Sequence, residues 1–126
     1  MNLLLVFLGG GSGAVCRYLF GVGYVRLFGS NQPYLSTFMI NVIGSLCMGL
    51  LIGVLTRITG VSDRWRLLLG VGVLGGFTTF SSFSLEAVMM IERKAYGVAA
   101  AYIAGSVVLG VLGLMLGLWV MRKVAL

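Results

Sequence analysis

The residues able to do chemistry are few and crowded together. From Gly75 to Glu86 the chain reads Gly75-Gly76-Phe77-Thr78-Thr79-Phe80-Ser81-Ser82-Phe83-Ser84-Leu85-Glu86. Five of the seven positions from Thr78 to Ser84 carry hydroxyls, inside a segment that is otherwise apolar. A hydroxyl in hydrocarbon is costly to desolvate unless it finds a partner. Paired glycines at the front of the run each weaken a helix by about 1 kcal/mol relative to alanine. The stretch therefore predicts a polar, broken helix. Such a break is tolerated in a membrane only where it faces protein or a water-filled path.

Little in this inventory suits covalent chemistry. The chain has no His, and its three carboxylates are Asp63, Glu86 and Glu92. No nucleophile stands at recognisable spacing from a base, so an enzyme is not expected. Weak recognition of an anion fits better. Phe80 and Phe83 lie three apart and project from one helical flank. An aromatic ring has a negative face and a positive edge, so ring edges lining a narrow path favour an anion without a fixed charge. The packing role of any aromatic pair stands beside this reading. Asn41 brings amide N–H donors, and hydroxyls such as Thr37 and Ser81 bring O–H donors. No Lys or Arg stands in the middle of a span to trap the ion, which suits passage, because a conducting site must bind weakly enough to release. Glu86 is open to three readings: a proton relay, the wetted end of a pore, or a side chain reaching out to the interface.

The elements that must position these groups follow from composition. Hydrophobic residues make up 60% of the 126 positions and charged residues 10%. A soluble domain carries about 25% charged residues, so a single all-α integral membrane domain spanning 1–126 is expected. Spans are predicted at about 2–24, 34–55, 65–91 and 95–121, each near the 20 residues needed to cross a bilayer, with the third one broken. Met1 to Cys16 has no basic leader region and is read as a retained first span rather than a signal peptide. Gly9 with Gly13, and Gly49 with Gly53, form small-xxx-small pairs that permit close helix approach. In the second span Thr37, Asn41 and Ser45 share one face at i, i+4, i+8. In the fourth, Tyr102, Ser106 and Gly110 do the same. Cys16 and Cys47 lie in apolar stretches and read as small buried hydrophobes.

The net charge of +6 does not point to nucleic acid, because the basic residues sit singly or in pairs at the edges of apolar runs, as lipid-interface anchors do. Four spans put both termini on one side. That side carries Arg57, Arg64, Arg66, Arg122 and Lys123. The other carries Arg17, Arg26, Arg93 and Lys94, if Arg17 is placed at an interface. Five against four, out of nine, is almost no bias under the positive-inside rule. Insertion in both orientations and pairing into an antiparallel dimer follow as an expectation. A larger partner that fixes one orientation is the alternative.

The run from Gly75 to Glu86 resembles the signature of the Fluc (CrcB) fluoride channel family. Asn41-Val42-Ile43-Gly44 and the Gly-rich first span ending at Arg17 resemble it too, and the likeness extends over essentially the whole chain. The resemblance implies a dual-topology antiparallel homodimer in the bacterial inner membrane that passes fluoride passively. It implies that Phe80 and Phe83 line each pathway by their ring edges with Asn41 beside them, and that Tyr102 and Ser106 belong to a polar track. Gly110 departs from that track, because relatives often carry a hydroxyl there. The resemblance also implies a structural sodium ion at the dimer axis, held by the backbone carbonyls of Gly75 and Thr78. Arg17 matches a basic residue near a vestibule, where it would raise the local anion concentration; an interface anchor is its other role. Two rival functions are a proton-coupled small multidrug exporter and a non-transporting assembly subunit. The exporter needs a membrane-embedded Glu in the first span, and Met1 to Tyr24 contains none.

Overall fold

The computed structural model of the chain describes residues 1–58, 60 and 62–124. Four helical crossings are long and apolar enough to span a membrane: Asn2–Phe28, Tyr34–Leu55, Asp63–Glu92 and Tyr96–Lys123. At a rise of 1.5 Å per residue each exceeds the roughly 30 Å of bilayer hydrocarbon. Large apolar side chains such as Leu3 and Phe7 stand exposed on the outside, where lipid solvates them.

The first helix runs on past Tyr24 to Phe28, further than hydropathy alone suggests. Tyr24 and Phe28 stack one turn apart with ring centroids at 5.0 Å. Arg26 lies in the last turn, where a cation complements the partial negative charge of a helix C-terminus. Gly29, at φ 82, then ends the helix.

The third crossing is built in pieces. Ser62 caps its start by accepting from Arg64 N at 3.3 Å, and Asp63 favours the positive end of the helix dipole. Arg66–Leu74 is wound as a π-helix, with Gly70 and Gly72 buried. One more α turn, Gly75–Phe77, leads to two extended residues. Thr78 has φ −75 and ψ 157, and Thr79 has φ −149 and ψ 117. The helix resumes at Phe80–Glu92. The predicted break therefore falls at Thr78 and Thr79, one residue beyond the glycine pair, which itself stays helical.

The reversal into the fourth helix is tight. Lys94 takes a left-handed conformation at φ 59. Its N–H reaches the Ile91 carbonyl at 2.9 Å, and Ala95 N reaches Met90 O at 2.9 Å. These are the two bonds of a Schellman motif, here closed on a lysine rather than the usual glycine.

The crossings pack chiefly as two pairs, first with third and second with fourth, and both pairs meet through glycine. A methyl group built on Gly9 would lie 2.9 Å from the Gly72 Cα, and one on Gly76 would lie 3.0 Å from the Gly10 Cα. On the other pair, a methyl on Gly49 would lie 3.1 Å from the Leu114 Cα, and one on Gly117 would lie 2.7 Å from Leu50 N. Backbone thus meets backbone, as small-xxx-small faces allow. The second half of the third crossing joins the two pairs. Ala87 and Met90 form a buried cluster with Ala99 and Tyr102, flanked by Tyr34, Phe38 and Phe83. The Arg57 guanidinium caps the end of the fourth helix, donating to the carbonyls of Met121, Arg122 and Val124.

Candidate functional site

The site is built around the break at Thr79. An extended residue inside a helix leaves its neighbours' backbone groups without i→i−4 partners. Asn41, on the facing second helix, takes over. Its Oδ1 accepts from Thr79 N at 2.8 Å, and its Nδ2 donates to Thr79 O at 3.0 Å. One Nδ2 hydrogen is thereby used and the other stays free. Thr79 also caps the resumed helix: its Oγ1 accepts from Ser82 N at 3.2 Å and donates to Ser82 Oγ at 3.2 Å.

Of the other hydroxyls, two bond carbonyls one turn back in their own helices. Thr78 Oγ1 donates to Leu74 O at 3.0 Å, and Ser84 Oγ donates to Phe80 O at 2.9 Å. Ser81 Oγ stands 3.3 Å from Thr79 Oγ1 on an exposed residue. The hydroxyls thus find nearby partners, but only Thr79 Oγ1 takes a backbone N–H that the break has orphaned; Leu74 O already accepts from Thr78 N.

Two cavities share Thr79 as a wall. The wider one, about 600 Å³, is lined by Arg17, Arg26, Ser36, Thr37, Thr79 and Ser82 together with apolar side chains of the first helix. Arg17 does more than anchor an interface, because its Nη1 donates to Thr78 O at 3.2 Å. The narrower groove, about 260 Å³, is lined by Asn41, Ser45, Thr79, Phe80, Phe83 and Ser106, with Thr78 and Val107. Thr79 borders both. Beyond the groove a third cavity of about 340 Å³ shares Ser45, Ser106 and Val107 with it.

Phe80 and Phe83 sit side by side with centroids 5.6 Å apart and planes at 43°. Phe83 continues inward to Tyr102 at 5.2 Å, and Tyr102 to Tyr34 at 5.5 Å. The two phenylalanines differ in footing. Phe83 packs against the buried cluster, whereas Phe80 is 79% exposed.

Glu86 ties three crossings together. Thr37 Oγ1 donates to its Oε1 at 2.8 Å, and the Tyr102 hydroxyl donates to its Oε2 at 2.6 Å. The carboxylate is engaged inside the bundle rather than reaching outward, and Tyr102 acts on it from a buried position. Thr37 and Tyr102 thus meet at Glu86, while Asn41, Phe80, Phe83 and Ser106 meet in the groove. Ser45, Thr79 and Val107 are groove residues that the candidate set lacked. Of these, Ser45 is the one that spacing could have found. Its signal was present in the i, i+4, i+8 face shared with Thr37 and Asn41.

At the break, Gly75 and Thr78 present carbonyls released from the helix. Thr79 N, the regular partner of Gly75 O, is taken by Asn41. Ser82 N, the regular partner of Thr78 O, is taken by Thr79 Oγ1.

Comparison with known proteins gives a consistent answer. The family model described as CrcB-like protein, Camphor Resistance (CrcB), matches residues 4–118. A protein of Caulobacter sp. (strain K31) named fluoride-specific ion channel FluC is 53% identical over 124 residues, covering 98% of this chain and 96% of its own. One of the same name from Phenylobacterium zucineum (strain HLK1) is 55% identical over 123 residues, covering 97% and 96%. Another, from Novosphingobium aromaticivorans, is 54% identical over 121 residues, covering 95% of each. With the broken third crossing, the Asn41 clamp and a family match running through all four helices, the chain belongs to the CrcB family.

Proposed function

We propose that this chain is the subunit of a fluoride-selective channel that lets the anion leave the bacterial cytoplasm passively and so lowers its toxic concentration. The observation that carries the reading is the pair of cavities that flank Thr79. The larger chamber is lined by two arginines, and the smaller groove by a free amide N–H, hydroxyls and a pair of aromatic rings. Among the described residues, no Lys or Arg lines the narrow groove. Cationic side chains in the chamber raise the local anion concentration. Donors and ring edges in the groove then replace part of the ion's hydration shell without trapping it. The names of the relatives support fluoride as that ion. Fluoride crosses membranes as neutral hydrogen fluoride from acid surroundings and is held at neutral pH as the anion. An inside-negative potential drives it out through a passive path, with no proton coupling.

The working unit in this reading is an antiparallel dual-topology homodimer in the inner membrane. Two features support it: the near-even distribution of Lys and Arg between the two sides, and the exposure of Phe80, which leaves a groove lined by Asn41, Ser45 and Ser106 bordered by a ring that a second copy would cover. A structural sodium ion fits the break. The carbonyls of Gly75 and Thr78 have both lost their helical donors, and hard carbonyl oxygens freed in this way suit a small cation. Thr78 O already accepts from Arg17 and keeps its second lone pair for such a ligand. The ion's contribution would be to hold two breaks together at the dimer axis.

The test is efflux from liposomes that contain the purified protein, followed with a fluoride electrode and with chloride as the control anion. Rapid fluoride release with chloride retained is the expected result. Vesicles that hold fluoride as tightly with the protein as without it would overturn the proposal.

A further inference from the structure

The narrow groove does not end at the phenylalanines. A third cavity adjoins it, and the two share Ser45, Ser106 and Val107 as lining residues. The rest of that cavity is lined by Gly110, Val111, Leu114 and Met115. None of these four has a polar side chain, so the side-chain donors along this stretch are the hydroxyls of Ser45 and Ser106. Ser106 Oγ is buried and has no hydrogen-bond partner among the described residues. An orphaned buried hydroxyl is destabilising unless something else occupies it, at least part of the time.

Ser45 faces the same space from the second helix. It lies one turn beyond Asn41, on the same side. The fourth helix leaves it room, since a methyl group built on Gly110 would lie 3.6 Å from Ser45 Oγ, an ordinary contact with no clash. Gly110 lines the same cavity and places no side chain against the Ser45 hydroxyl.

We infer that Ser45 supplies the outermost hydroxyl of the anion path, so that the ion passes from the free Asn41 amide to Ser45 and Ser106 on opposite walls. The inference rests on the channel reading above and extends it to a residue of the second helix. A small, strongly hydrated anion entering an apolar passage needs a donor at each step. Here the donors come from two facing helices, and Gly110 is the gap that lets Ser45 reach the ion.

The test transfers the hydroxyl across the passage. Wild type, Ser45→Ala, Gly110→Ser and the double variant Ser45→Ala/Gly110→Ser are purified, checked for unchanged gel-filtration elution, and compared by fluoride efflux from liposomes. Removing one hydrogen bond to a charged species is expected to slow efflux by about tenfold in Ser45→Ala. The double variant, whose new hydroxyl enters the same cavity from the other wall, is expected to recover most of the lost rate. Ser12→Ala is the control, because that exposed hydroxyl bonds its own helix at Leu8 O. Ser45→Ala conducting at the wild-type rate overturns the inference and leaves the channel reading intact. A slow Ser45→Ala that the second substitution does not rescue, with elution unchanged, assigns Ser45 a packing role and also overturns it. A wild-type protein that passes no fluoride overturns both.

Discussion

The Asn41 side chain holds both backbone groups of Thr79, accepting from its N–H at 2.8 Å and donating to its carbonyl at 3.0 Å. The pair acts as a two-bond splice across the break, and Thr79 is buried. Asn41→Ala leaves a buried donor and acceptor unpaired, at a cost of about 1–3 kcal/mol each. A lower thermal midpoint in detergent is expected, together with reduced efflux. Asn41→Asp keeps the acceptor for Thr79 N but turns a carboxylate oxygen toward Thr79 O and sets a negative charge beside the path. It should slow fluoride at least as much, and wild-type efflux in that variant would remove Asn41 from the lining.

Substitutions at Phe80 and Phe83 test conduction apart from stability. Phe83→Ile loses ring contacts to both Phe80 and Tyr102, and an aromatic pair is worth about 0.5–1.5 kcal/mol beyond its buried area. Phe80→Ile loses one such contact on a largely exposed ring. Both variants should cut efflux sharply, with the larger fall in thermal midpoint in Phe83→Ile. If fluoride flux survives in both, the ring-edge role is wrong.

Glu86 takes hydroxyl donors from two helices. Tyr102→Phe removes the bond to Oε2, and a hydrogen bond to a charged group contributes about 1.5–3 kcal/mol. The lower end applies, because the carboxylate is only partly buried. Thr37→Val removes the other bond. A double-mutant cycle on thermal stability should show coupling between Thr37 and Tyr102 through the shared carboxylate. Strict additivity would mean that the two hydroxyls act independently of Glu86.

Gly9 and Gly72 meet backbone to backbone. A methyl group on Gly9 would press on the Gly72 Cα at 2.9 Å and on Val73 N at 3.1 Å. These are main-chain atoms that cannot swing aside. Gly9→Ala should push the first helix off the third crossing and cost roughly 1–3 kcal/mol as overpacking. Gly10 and Gly11 have open space at the corresponding position. Gly11→Ala is therefore the matched control, expected to elute and melt as wild type. Equal behaviour of the two variants would contradict the packing described here.

Arg57 closes the end of the fourth helix through three carbonyls. Arg57→Met keeps much of the aliphatic stem and loses the cap. Hydrogen exchange should quicken at the last turn of Tyr96–Lys123 while the rest of the helix keeps its protection. Unchanged exchange there would mean that the cap contributes little.

Four crossings were legible from sequence because hydropathy and length alone decide whether a segment can span a bilayer. The break was legible because paired glycines and crowded hydroxyls make a continuous apolar helix unfavourable. The close-packing glycines could be read as well, since the spacing of Gly9 with Gly13 and of Gly49 with Gly53 states which residues share a helix face. Spacing does not state which face another helix meets. That Asn41 holds Thr79, that Arg17 reaches Thr78 O, and that Glu86 is shared by Thr37 and Tyr102 became visible only once the helices were packed, because each contact joins distant parts of the chain. Ser45 is the plainest case. Its place beside Asn41 was written in the periodicity, but that it shares a cavity with Ser106 and Gly110 of another helix is a product of the packing.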